Sequence, residues 1–147
     1  MASTAPARLR LLAQDTDDLG LISAALQDAV LKLGDVHYEP EARRLTVALN
    51  RFRWEAGRGA RERVRSALQL GDVAALKARG LPLGAKEAVV NLLALEFEAA
   101  DEAPGGALHF RFAGGGDLRA EVECLDLALA DVSEPWPARG VPRHEEA

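Results

Sequence analysis

The hydrophobic pattern of this chain changes period once, near residue 30, and that change limits the folds open to it. Before it, Leu19, Ile22, Leu26 and Ala29 recur at spacings of three and four, the stripe of an amphipathic helix. After it, apolar and polar residues alternate over most of the remaining length, the mark of half-buried strands. Asp15-Thr16-Asp17-Asp18 precedes the stripe and supplies an N-cap and first-turn acids, which suit the positive end of a helix dipole. The spacing predicts one helix over about 17–29.

Leu9 to Leu11 reads as a short strand before that helix. Val36 and Tyr38, a Glu-Pro-Glu-Ala-Arg-Arg turn, and then Leu45, Val47 and Leu49 read as a hairpin. Phe52 and Trp54 sit on the opposite parity from Leu49, a slip of phase that a β-bulge near Asn50-Arg51 would produce. Val64, Leu68 and Leu70 suggest a third strand, and Gly71-Asp72 a turn before Val73 and Leu76. The second half echoes this order. Leu93, Leu95 and Phe97, a Pro-Gly-Gly turn, and Leu108, Phe110 and Phe112 form a second hairpin. Gly114-Gly115-Gly116-Asp117 then leads into Leu118, Ala120 and Val122, and the phase slips again at Leu125. Residues 118–132 fit a helix through Leu118, Val122, Leu125 and Leu129 as well as a strand, and both readings stand. The expected fold is α+β and mainly antiparallel β. It is a sandwich or partly open barrel of two similar three-stranded units, with one N-terminal helix packed on the sheet.

At 147 residues, with 48% hydrophobic and 28% charged side chains, the chain suits one soluble domain with a sizeable core. The expected layout is a disordered segment over 1–8, a globular domain over 9–136 and a polar tail over 137–147, with Trp136 as a docking anchor. A single cysteine, Cys124, excludes an intrachain disulfide and suits a reducing compartment. No secretory signal pattern is present at the N-terminus, and no apolar run approaches the ~20 residues of a membrane helix. The expected location is the cytoplasm, with no membrane partner.

Residues able to carry chemistry are sparse. His37, His109 and His144 stand apart, with no spacing that would assemble zinc ligands. They read as surface histidines, and Cys124 as a buried inert thiol. The triple glycine lacks the Gly-Lys-Ser/Thr continuation of a phosphate loop and reads as a strand turn. Asp15, Asp17 and Asp18 are explained by capping. No catalytic residue, metal ligand or cofactor is identified. The one candidate binding segment is Asn50, Arg51, Arg53, Trp54 and Glu55, read with Phe52 as Asn-Arg-Phe-Arg-Trp-Glu. Its guanidiniums, amide, carboxylate and indole could grip an anionic or planar ligand. Alternatively, the aromatics fill the core while Arg51 and Arg53 pair with acids.

That hexapeptide resembles the Asn-Arg-Phe-x-Trp-Glu motif of a family of uncharacterised bacterial proteins of about this length. Leu-Arg-Leu-Leu-Ala-Gln-Asp near the start and Ile22–Val30 are similar to the same family. So are Asn91–Phe97 and Gly115–Glu123. The resemblance covers about Leu9 to Trp136. It implies one domain in a bacterial cytoplasm and brings no assigned chemistry.

Charge is divided between the halves. Residues 43–65 hold eight arginines against Glu55 and Glu62, a net +6 in a chain of −5. Residues 94–134 hold ten acids against Arg111 and Arg119, a net −8. Such a split speaks of partners rather than of chemistry. The favoured reading is a non-enzymatic cytoplasmic interaction module that self-associates, or meets another protein, through complementary basic and acidic surfaces. Anion or nucleic-acid binding through Arg43–Arg65 is the alternative. Nucleic acid is the less favoured partner, because the rest of the chain would repel phosphate and aromatic residues make up only 5%. An enzyme with a site scattered along the chain is the third.

Overall fold

Asp15 caps the helix as the acid cluster anticipates: its Oδ1 accepts from the Asp18 N–H at 2.8 Å. In the computed structural model, which describes residues 8–57, 59 and 61–138, this helix is α1 (Thr16–Ala25). The expected disordered segment (save Arg8), His144, Arg58 and most of the polar tail lie outside the described residues. α1 is shorter than its apolar stripe, because Asp28 adopts a left-handed conformation (φ 62°) that short polar side chains tolerate. The Asp28 N–H then bonds to Leu92 O at 2.9 Å. Ala29 thereby becomes the start of a strand that the helical spacing conceals.

Eleven strands form one antiparallel sheet on which the helix packs. β1 (Arg10–Ala13) precedes α1, and β2 (Ala29–Lys32) and β3 (Val36–Glu39) follow it, separated by a 3-10 turn at Leu33–Asp35. β4 (Arg44–Phe52) and β5 (Glu62–Leu70) complete a meander with β3, and β6 is Val73–Arg79. β7 (Val89–Ala99), β8 (Gly106–Phe112) and β9 (Asp117–Val122) form a second meander. β10 (Leu127–Asp131) and the short β11 (Trp136–Pro137) both run along β5.

The strand order is β1-β10-β5-β4-β2-β7-β8-β9-β6. Apart from β1, it reads the same from either end when β2, β4, β5 and β6 are exchanged for β7, β8, β9 and β10. Each meander therefore lends its next strand to the other: β6 pairs with β9, and β10 with β5. The two crossing turns clasp each other. Gly71 N–H donates to Asp126 O at 3.0 Å, and Glu123 N–H donates to Asp72 O at 3.1 Å. The sheet remains open, with β1 and β6 at its ends.

One open reading is decided and one expectation is corrected. Residues 118–132 are two strands and no helix, because the turn over 123–126 shifts the apolar phase between β9 and β10. No bulge occurs at Asn50-Arg51, since β4 keeps one register with β5 from Leu45↔Leu70 to Phe52↔Arg63. The parity is unbroken as well: Leu45, Val47, Leu49 and Arg51 all point inward and are buried. An arginine stands where the pattern called for a hydrophobe.

The core joins both meanders to the helix through Leu19, Ile22 and Leu26. Ile22 is fully buried, so Ile22→Ala should cost about 2–5 kcal/mol. Urea unfolding of the two proteins would measure it, and equal midpoints would show that the helix is not docked.

Candidate functional site

Arg51 is completely buried and all five of its N–H donors are engaged. Nε and Nη2 hold Asp131 through Oδ1 and Oδ2, both at 2.9 Å. Nη1 and Nη2 hold Glu55 through Oε1 at 2.9 Å and Oε2 at 2.6 Å. Nη1 also reaches Phe52 O at 3.3 Å. Asp131 is equally occupied: Ser66 Oγ donates to Oδ1 at 2.7 Å, and the Leu9 N–H donates to Oδ2 at 2.8 Å. Burial disfavours charge on Arg51 and Asp131, yet hydrogen bonds outweigh it: those to Glu55 and Asp131 raise the guanidinium above its usual range, and those from Arg51, Ser66 and Leu9 lower the carboxyl. Glu55 is lowered chiefly by its hydrogen bonds from Arg51.

Of the five candidate residues, Arg51 and Glu55 thus satisfy each other. Arg53 bonds Glu62 at 2.6 Å. Trp54 donates from Nε1 to Gln27 O at 3.2 Å, with its ring 4.6 Å from that of Phe52. Asn50 accepts from Arg65 Nη1 at 3.1 Å and lines a cleft. The five do not converge on one ligand. Of the other arginines in the basic stretch, Arg43 reaches Glu123 at 2.6 Å across the halves, whereas Arg44 and Arg65 pair with Glu39 and Asp35.

The remaining residues singled out in the sequence separate further. His37 is exposed on β3, and His109 lies 3.1 Å from Glu98. Cys124 is half-buried and donates to Asp72 at 3.2 Å, which pushes its thiol up and away from thiolate reactivity. The triple glycine is the β8–β9 hairpin turn, with Gly114 and Gly115 at φ 89° and 92°, values that favour glycine. No group of three or more metal-ligating side chains exists among the described residues.

Sequence reasoning passed over the two outer faces of the sheet. On β7, β8, β9 and β6 the outward side chains form a lattice of ion pairs, with His109 and Glu98 joined by a hydrogen bond. The lattice joins Arg111 to Glu96, Lys77 to Glu121 and Arg79 to Asp117. On β1, β10, β5 and β4 the outward residues run across the strands as Leu12–Ala128–Gln69–Thr46 and Arg10–Ala130–Ala67–Ala48. These eight positions hold one charge. Arg10, Leu12 and Gln69 are exposed and the other five are half-buried, and Leu12 and Val132 are 65% and 52% exposed at the border. The signal was legible as the alanines alternating with leucines in β10.

Removing one member of a buried pair leaves the other uncompensated, so Asp131→Asn should cost about 3–5 kcal/mol, read by urea unfolding at neutral pH. Asp131 and Glu55 both lie below their ordinary values of about 4. Their contribution is therefore complete above those ordinary values and is lost as pH falls through the lowered ones. The parent should lose stability steadily below about pH 4, and Asp131→Asn should lose less over the same range.

No curated protein and no solved structure matches the chain. Residues 9–144 match the family described as "Protein of unknown function (DUF2948)", and with that match spanning most of its length the chain belongs to this family.

Proposed function

We propose that the protein is a non-catalytic cytoplasmic interaction module that self-associates through the outer face of β1, β10, β5 and β4. The observation that carries this reading is the small-residue surface itself. A sheet face left open to water ordinarily carries polar side chains, as the β7–β9 side does. Ala48, Ala67, Ala128 and Ala130 instead give a surface of small side chains with little to solvate. Apolar surface bordered by polar residues is characteristic of contact sites. A face of small side chains is also self-complementary, so two copies can stack sheet on sheet about a two-fold axis. Charged groups at the border, Arg10 and Arg65 among them, would set orientation more than affinity. The saturation of Arg51 and Asp131 supports the non-catalytic part, because neither retains a free donor or lone pair for a substrate.

The parent protein should sediment as a dimer at micromolar concentration, with little loss at high salt because the contact is apolar at its centre. Ala67→Arg, which places a charge mid-face, should give a monomer with unchanged circular dichroism. A parent that is monomeric throughout, or a variant that still dimerises, would overturn the proposal.

A further inference from the structure

We infer that the cleft between β2, β4, β5 and the chain entering β7 binds a small phosphate- or carboxylate-bearing molecule. Its volume is about 640 Å³, within the roughly 300–1,000 Å³ usual for small-molecule sites. Six polar side chains line it: Lys32, Asp35, Asn50, Arg65, Lys86 and Glu87. Both carboxylates are already engaged, Asp35 with Arg65 at 3.1 Å and Glu87 with Lys32 at 2.9 Å. The cations outnumber them by one.

The donors are placed rather than merely present. Arg65 donates from Nη1 to Asn50 Oδ1 and from Nη2 to Asp35 Oδ2, both at 3.1 Å. Being held on two sides fixes the guanidinium plane and leaves further N–H groups over, the arrangement suited to a planar or tetrahedral oxyanion. Asn50 spends its carbonyl oxygen on Arg65, so its amide nitrogen remains a donor. Lys86 makes no ion pair among the described residues. It is brought to the rim by the Gly34 N–H, which bonds to Lys86 O at 2.8 Å. A Cβ on Gly34 would lie 2.9 Å from that same oxygen, so this approach requires glycine. The cleft therefore presents Arg65, Asn50 and Lys86 as donors around a space that an oxyanion of modest size can enter. This inference does not rest on self-association, and the sedimentation experiment leaves it untouched.

Titration calorimetry at low ionic strength, with pyrophosphate and citrate as separate probes, tests it. At least one probe should bind saturably at one site per chain. Lys86→Ala, a change at an exposed side chain, should weaken binding about tenfold or more, the effect of one charge-assisted hydrogen bond. Arg65→Ala should abolish it, and Gly34→Ala should weaken it without altering charge. Lys77→Ala, on the ion-pair lattice, should leave it unchanged. Absence of saturable binding by both probes, or binding that survives Lys86→Ala, would overturn the assignment.

Discussion

The buried pairing of Arg51 with Asp131 is the constraint on which the arrangement of the first half depends. It gathers β4, β5 and β10 through Arg51, Ser66 and Asp131, and it catches β1 through the Leu9 N–H. Such a pair contributes little net stability, since desolvation offsets most of the attraction. Its effect is on register. Shifting β10 by one residue against β5 would turn Asp131 to the outer face and strand the guanidinium among leucines. β10 arrives from the second half of the chain, so the pair also decides which strand the first meander accepts.

The pseudo-symmetric half solves the same problem without a buried ion pair. The two meanders can be aligned where each leaves its third strand, at Leu70 and Val122. Arg51, Ser66 and Asp131 then fall on Phe112, Leu118 and Ala78, as the pairings Ser66↔Asp131 and Ala78↔Leu118 require. Phe112 and Leu118 are buried core residues. One unit therefore accepts its borrowed strand with apolar side chains at these positions, Ala78 being exposed and the ion pairs confined to the outer face, and the other by a buried hydrogen-bonded ion pair. Packing tolerates small shifts, whereas a two-pronged guanidinium–carboxylate contact does not. The more exacting contact stands beside the bare outer face, where a misregistered β10 would carry Ala128 and Ala130 out of the surface.

Much of the fold was legible because strand period survives in local sequence. The capped helix, both hairpins and the likeness of the halves follow from alternation and turn residues. What local sequence does not hold is pairing between distant strands. The exchange of β6 and β10 depends on contacts such as Gly71 with Asp126, fifty-five positions apart. β2 was hidden because Ala29 continues the helical stripe, and only the conformation of Asp28 ends it. The apparent slip at Phe52 had a different cause. Hydropathy counts arginine as an outward residue, so an inward one looks like a break in phase. Asn50, Arg51, Arg53, Trp54 and Glu55 stand out in the sequence, but their chemistry is directed at one another and at Asp131, Glu62, Gln27 and Arg65.

This arrangement also bears on why the proposed contact face and cleft both involve the first half. The symmetry relates two sheet faces, yet one carries a lattice of paired charges and the other carries alanine. Had both remained polar, the molecule would offer only solvated surface. Had both become apolar, an open sheet with two free edges would invite unregulated stacking. Confining the apolar face to the side locked by Arg51 and Asp131 keeps it in register. β2 and β7, which meet at the pseudo-symmetry axis, are unlike there as well: β2 breaks into a 3-10 turn at Leu33–Asp35, whereas β7 runs on through a register shift. That break sets Asp35 against Arg65 and Gly34 against Lys86, and so opens the cleft on the first-half side. Face and cleft thus arise where the two halves depart from each other, with Arg65 at the border of both.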